Sequence, residues 1–355
     1  MLKIFFLPGA YDGCYFYRGY LPAIYGNMTC MTEFVQQSWD KDLMHKRTLE
    51  ADVVVIQRPN DGYRVELMKA LKQKGKFIVF DNDDTYLPGK GVPLNMLGSD
   101  KARELAIHLS DNLNKALKIA DLVIASTHVL AEEYRQTATC PVVVCKNTID
   151  PLDEYPRRRV PGKTRIGFIG SVASNDDYIH VKDVIRALDA SNDVTFVVLG
   201  NPQNNSNYKG YEKDNAFWQT VKNIEWHEFV PATRYHKKLA DLALDIALIP
   251  RKDNYFNRCK SNIKFVECSL ARIPVIAQGF TNKDSPYQDG KDKKYMQVIT
   301  DDKDWLPAIK NTIKNYDQYA TLADRAHNYV LEHYNIKKYA KEWRQIIEQH
   351  YANRH

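Results

Sequence analysis

Cysteine is sparse and unpatterned in this sequence. Cys14, Cys30, Cys140, Cys145, Cys259 and Cys268 are scattered through 355 residues, with no Cys-x-x-Cys pair and no histidine pair at zinc-finger spacing. That spacing excludes a disulfide scaffold and a structural zinc module, and it predicts reduced thiols in a cytosol. No run approaches the roughly 18 apolar residues of a membrane-spanning helix. The opening apolar run ends at Pro8-Gly9, too early for the core of a secretory leader, and reads as a first strand. There is no short repeat and no low-complexity tract. No Gly-x-Gly-x-x-Gly follows either candidate first strand, which argues against a plain dehydrogenase. Charge of one sign is not concentrated either. The net +6 favours anionic partners such as nucleotide phosphates, nucleic acid or an acidic membrane, yet it equally describes a slightly basic surface.

What is present is ordinary globular material. Hydrophobic residues make up 44% and charged residues 26%, enough to build about two domains and too apolar for disorder. Short apolar runs alternate with helical patterns. They predict strands at 3–7, 53–57, 77–81, 122–125 and 142–146, then at 165–169, 195–199, 224–229, 246–249 and 274–277. Most lack period-two alternation, as expected of strands buried on both faces. The segments between them are long enough for crossover helices, one at 100–120 after a capping Ser99. The fold class is therefore α/β, two Rossmann-like doubly wound domains with parallel sheets. Residues 150–164 carry three prolines, a glycine and dense charge, and read as a linker. The expected division is 1–155, 156–335 and an amphipathic tail helix over 336–355, with Tyr339, Trp343, Ile346 and Ile347 near one face.

The most informative stretch runs from Ile249-Pro250-Arg251 through Phe256-Asn257-Arg258-Cys259-Lys260-Ser261-Asn262-Ile263-Lys264-Phe265-Val266-Glu267 to Ile273-Pro274-Val275. It reads as strand, loop, helix, strand. Ser261 is the expected N-cap, and the free N–H groups that follow, with Lys260 and Lys264, suit a diphosphate. Glu267 lies three residues after Lys264 on the same helix face. Its carboxylate can accept from two vicinal ribose hydroxyls.

This stretch resembles the donor-binding segment of retaining glycosyltransferases of the GT-B fold, the large "group 1" superfamily. Its Phe-Asn-x-x-Lys-Ser-x-x-Lys-x-x-Glu form resembles a sub-branch found in bacterial and phage genomes. The resemblance is strongest over residues 165–290. It implies a nucleoside-diphosphate sugar as donor substrate, no cofactor and no metal, and a diphosphate held by Lys260, Ser261, Asn262, Ile263 and Lys264. Glu267 matches the glutamate that holds the ribose. The family's second glutamate, eight residues earlier, is replaced by Cys259, which leaves the sugar contacts open. Gly170-Ser171 matches the loop that approaches the donor phosphates. Leu199-Gly200 and Phe229-Val230-Pro231 match loops near the nucleobase. Asn147-Thr148-Ile149-Asp150 resembles the exit from the first domain, and the tail helix resembles one that crosses back onto it.

In the first half, Gly9 and Gly13 follow the first strand, and Gly13-Cys14-Tyr15-Phe16-Tyr17-Arg18 resembles a segment of the same sub-branch. Arg18 is a candidate counter-charge to the departing phosphate, though a lone arginine is more often a surface or ion-pair residue. Arg58 and the cluster Asp81-Asn82-Asp83-Asp84 stand at strand C-termini. The cluster looks like a metal-binding Asp-x-Asp motif, but that motif belongs to the other glycosyltransferase fold. Asp81 or Asp83 acting on the acceptor, as an orienting group or a base, and simple loop capping both stay open. His128 is read as a helix-start histidine or an acceptor contact. The candidate catalytic residues are thus Arg18, Asp81, Asp83 and Lys264. For the acceptor, a cell-surface glycan or lipid-linked sugar stands beside a hydroxymethylated base in phage DNA. The basic runs Arg157-Arg158-Arg159 and Lys337-Lys338 speak for the DNA reading. A nucleotide-binding module without catalysis is the remaining alternative.

Overall fold

A computed structural model describes residues 2–9, 12–32, 40–88, 99–152, 155–170, 175–200, 216–281, 285–288 and 292–354. Its strands are Ile4–Leu7 (β1), Thr29–Cys30 (β2), Val53–Gln57 (β3), Phe77–Asn82 (β4), Leu122–Ala125 (β5), Val142–Val144 (β6), Thr164–Ile169 (β7), Val194–Leu199 (β8), Ile224–His227 (β9), Ile246–Ile249 (β10), Val275–Gln278 (β11) and Gln297–Ile299 (β12). They form two parallel sheets, ordered β2-β1-β3-β4-β5-β6 and β12-β11-β10-β7-β8-β9. The two-sheet α/β expectation holds, and all ten expected strands are found within two residues of their ends.

The sequence dictates this burial directly. In β1 and β3, Phe5, Leu7, Val54 and Ile56 enter one apolar cluster, while Ile4, Phe6, Val53 and Val55 enter the cluster on the opposite face. A strand covered on both sides needs an unbroken apolar run, and β-branched residues fit its pleat. The two strands that escaped sequence reading, β2 and β12, are edge strands of two and three residues without such a run.

Strand order places the crevices. The first sheet reverses direction between β1 and β3, the second between β7 and β10. Ligands of open parallel sheets bind at such switch points, at the strands' carboxyl ends. The residues there are Gly9 and Arg58 in the first half, Gly170 and Arg251 in the second.

Three features join the halves. The chain leaves the first sheet at Ile149 and returns beside it at Asn335 in an isolated parallel bridge. The tail helix Ile336–Ala352 then packs on the first half, with Trp343 and Ile347 buried beside Ile4 and Phe6. Finally, helical turns Gly13–Tyr15, Phe16–Tyr20 and Leu21–Tyr25 run on as one rod, and the middle turn is a π-helix. Such bulges recur at functional sites because they re-aim side chains. Here Phe16, Tyr17 and Leu21 enter an apolar cluster otherwise built mainly from the second half, among them Leu239, Phe265 and Val266.

The linker arginines have a structural role. Arg157, Arg158 and Arg159 pair with Asp324, Asp241 and Asp245 at 2.8, 2.9 and 2.9 Å. Each of these charges thus has an acid partner within the chain, while the Arg158 and Arg159 side chains stay half-exposed. Among the described residues all six cysteines are free thiols, and no helix is long and apolar enough to cross a membrane.

Candidate functional site

A cavity of about 250 Å³ lies between the two sheets, walled by Gly13, Cys14, Tyr17 and Asp83 on one side and Gly170, Arg251, Lys264 and Glu267 on the other. Ser261, Ile263 and Lys260 line it too. The structure thus gathers Gly13, Asp83, Gly170, Lys260, Ser261, Ile263, Lys264 and Glu267 into one cleft. Ser171 lies outside the described residues. Asn262 faces a neighbouring cavity instead, with its amide donated to Asp292 and to the Tyr334 hydroxyl at 2.6 Å.

The second half supplies positive charge. The helix Ile263–Leu270 begins at Asn262, not at the expected Ser261, and no side chain caps it. Its first N–H groups and the positive end of its dipole therefore stay available to an anion. Ser261 is drawn away by the first half, its hydroxyl accepting from Asn147 Nδ2 at 3.0 Å. Lys264 projects into the cleft near Tyr178, 3.4 Å from its hydroxyl. Loss of water, reinforced by Arg251, pushes the Lys264 ammonium well below the usual lysine range.

Arg251 was quoted in the sequence but given no role. It is buried, and Nη1 donates to Asp177 Oδ2 at 2.7 Å. Its Nε finds no partner among the described residues. A buried guanidinium N–H without an acceptor is costly in a water-excluded site and calls for an incoming oxygen. The rule that singled out Arg58, an arginine just past a strand's carboxyl end, would have found Arg251 after β10.

Glu267 is claimed from across the cleft. Tyr17 donates its hydroxyl to Glu267 Oε1 at 2.6 Å and meets His236 Nε2 at 2.8 Å. Burial pushes the Glu267 carboxyl up, while His236 and Tyr17 oppose that shift. The π-turn of the Gly13–Tyr25 rod is what carries Tyr17 this far. Gly200 closes the far wall with φ +89; a Cβ there would sit 2.4 Å from the Gly170 carbonyl oxygen. Only glycine allows this loop-to-loop approach. The half-exposed Phe229 stands beside it.

The acidic cluster is neutralised from two sides. Arg58 Nε pairs with Asp83 at 3.0 Å and Nη2 with Asp84 at 2.9 Å, and Lys260 reaches Asp84 from the second half. Burial opposes ionisation of Asp83, but Arg58 and Lys260 outweigh it and hold its carboxyl at about 2. So acidic a group is a weak proton acceptor, which favours an orienting role over a general base. Among the described residues, no three His, Cys, Asp or Glu side chains converge as a metal cage requires.

Arg18 and Asp81, expected in catalysis, lie beneath the cleft rather than in it. Both are fully enclosed and line neither this cavity nor its neighbour. Arg18 Nη2 meets Asp81 Oδ1 at 2.5 Å, Nη1 donates to the Cys145 carbonyl and to Asn147 Oδ1, and the guanidinium lies 4.8 Å from the Trp343 ring centroid. The pair ties the Gly13–Tyr25 rod, β4, the chain exit and the tail helix together. Through Asn147 it reaches Ser261.

Cys259 is equally withdrawn. It packs into the core cluster of the first sheet, and its carbonyl accepts from Thr127 Oγ1 at 3.0 Å. No carboxylate stands where the resembling family has its sugar-contacting glutamate. His128 opens the helix His128–Arg135 on the exposed side of Thr127 and borders the neighbouring cavity, as a helix-start histidine would.

Comparison with protein-family models and with curated proteins finds no match to the sequence. Comparison with solved structures does find similar folds. HepE of Anabaena, solved with UDP-glucose, has a TM-score of 0.65 at 14% identity, over 98% of this chain and 100% of that one. An alpha-glucosyltransferase solved with UDP and a 13-mer DNA containing a central A:G mismatch has a TM-score of 0.63 at 11% identity, over 98% and 99%. TarM has a TM-score of 0.59 at 11% identity over 82% of this chain, which spans only 54% of TarM's length.

Proposed function

The chain has the GT-B fold, and from that fold and the chemistry of its cleft we propose that it is a glycosyltransferase using a nucleoside-diphosphate sugar. The observation that carries the reading is one convergence. An unpartnered Arg251 Nε, the desolvated Lys264 ammonium and an uncapped helix start meet beside Glu267, a carboxylate suited to vicinal hydroxyls. That set fits a diphosphate followed by a ribose.

Transfer breaks the bond between the anomeric carbon and the diphosphate oxygen. Charge develops on the leaving phosphate, so preorganised cations and N–H donors lower the barrier most. We assign that work to Lys264, Arg251 and the N–H groups at Ile263–Lys264. Lys260, now paired with Asp84 across the cleft, exchanges that partner for the phosphate when the donor enters. Asp83 orients the acceptor hydroxyl. The cleft carboxylates are committed to Arg58 and to Tyr17, which supports front-side attack with retention over a covalent double displacement. Arg58 stays on Asp83 and Asp84, the acids that a divalent ion would need, so transfer proceeds in the presence of a chelator.

The acceptor we propose is a hydroxyl of a glycan or lipid-linked sugar. The pairing of Arg157–Arg159 with acids of the same chain weakens one of the features that spoke for DNA. HepE and the alpha-glucosyltransferase were solved with UDP-glucose and UDP, which makes the uridine series the first to test.

The test is a thermal-shift screen with UDP, GDP, ADP and CMP. Saturating one nucleotide at about 100 times its Kd adds about 2.7 kcal/mol, a Tm rise of several degrees for a chain of this size. UDP is expected to give that rise. A flat response to all four contradicts the donor site.

A further inference from the structure

Beside the donor cleft lies a second, larger cavity of about 590 Å³ that the reading above leaves without a role. It occupies the hinge side of the inter-sheet gap and shares only Lys260 and Ser261 with the cleft. Its walls come from three sources: the ends of β5 and β6 in the first half, the turn before Ile263–Leu270 in the second, and the Tyr316–His333 and Ile336–Ala352 helices that carry the chain back.

Two side chains there are left wanting a ligand. Ser126 is 3% exposed, lines the cavity, and its hydroxyl has no hydrogen-bond partner among the described residues. Lys146 has no carboxylate or carbonyl partner among them. Its ammonium rests on two aromatic faces instead, 4.2 Å from the Tyr334 centroid and 4.6 Å from that of Tyr339. Loss of water depresses its pKa, with Asp292 and Glu342 opposing. A lysine held over tyrosine rings is positioned without being neutralised, and the rings exclude water from its flank.

Most of the surrounding charge is apportioned elsewhere. Of the two acids that line the cavity, Asp292 is engaged by Asn262 and the Tyr334 hydroxyl, while Glu342 stands at its exposed edge on the tail helix and acts on Lys146 without contacting it. Arg258 and Lys260 line the cavity with acid partners of their own, Asp253 and Asp84. Among the described lysines and arginines that line the cavity, Lys146 is thus the one without a contacting acid, and it stays open to an anion. The Thr127 and Ser261 hydroxyls line the same cavity and suit a polyhydroxylated body.

We propose that this hinge cavity is a second binding site, for an anionic monosaccharide such as a sugar phosphate, with the anion on Lys146 and a hydroxyl on Ser126. The site stands on its own residues and does not require the donor reading to be right. Because all three wall elements meet there, an occupied site fastens the two halves at the hinge.

The probe is glucose 6-phosphate, titrated calorimetrically against the full chain, with glucose, inorganic phosphate and UDP as separate arms. Glucose 6-phosphate is expected to bind at least 10-fold more tightly than glucose or phosphate alone. Lys146→Met, which keeps the apolar stem, should weaken it at least 10-fold, and Ser126→Ala several-fold with unchanged Tm. Both variants should bind UDP as the wild type does, whereas Lys264→Ala should lose UDP and keep glucose 6-phosphate. No heat with glucose 6-phosphate at millimolar concentration overturns the proposal. So does binding indifferent to Lys146→Met and Ser126→Ala, or binding lost in Lys264→Ala, which would put the ligand in the donor cleft. If UDP fails to bind anywhere while glucose 6-phosphate follows Lys146, the hinge site survives and the donor reading falls.

Discussion

Lys264→Ala is expected to lose about 10²–10³-fold in kcat, the usual consequence of removing one charge-stabilising donor from a reacting site, with Tm unchanged. The fold does not depend on this ammonium. It reaches the cleft wall beside a tyrosine hydroxyl, and its depressed pKa says that the free protein holds the charge reluctantly. An incoming diphosphate reverses that balance, because an opposite charge at contact favours the ammonium. The sign follows: donor binding takes up a proton in the window between the depressed pKa of the free lysine and its raised value in the complex, and affinity falls as pH rises through that window. Titrations of UDP in buffers of different ionisation enthalpy measure the uptake directly. A folded Lys264→Ala enzyme with near-normal turnover, or UDP binding with no proton uptake across the alkaline range, contradicts the role.

The second large effect concerns stability. Arg18→Met is expected to cost about 3–5 kcal/mol, because it strands a buried carboxylate and also removes the bonds to Cys145 and Asn147. Arg18→Met combined with Asp81→Leu should recover most of that loss, since the pair can give way to apolar contacts where neither charge meets solvent. Urea unfolding of the two single variants and the double variant measures the coupling. An Arg18→Met protein within about 1 kcal/mol of wild type would show that the pair does not hold the rod, β4 and the tail helix together. The same result would return Arg18 to the list of residues that act on substrate.

These two residues mark what sequence reading could place and what it could not. Lys264 was legible because its neighbours are local: a loop, a helix start and a glutamate one turn on fix what faces the cleft. The strands were legible for the same reason, each an apolar run that announces burial on both faces. Arg18's place was not legible because its partners come from Asp81, Cys145, Asn147 and Trp343, four separate stretches that no local pattern joins. The acid partners of Arg157–Arg159 were not legible either, because three adjacent arginines give no hint of Asp324, Asp241 and Asp245. Cys259 is the opposite case. The sequence exposed the missing glutamate, but only the packing of its thiol into the first sheet's core tells why no carboxylate could stand there. Burial pushes that thiol's pKa far up, as a charged side chain at the same point would also suffer.

The most direct test of the central claim is a crystal structure of the chain with UDP. The diphosphate should sit on the start of the Ile263–Leu270 helix within hydrogen-bond reach of Lys264 and Arg251 Nε, with the ribose hydroxyls on Glu267 in place of Tyr17. UDP lodged elsewhere, or a cleft in which Tyr17 still holds Glu267 at saturating UDP, contradicts it.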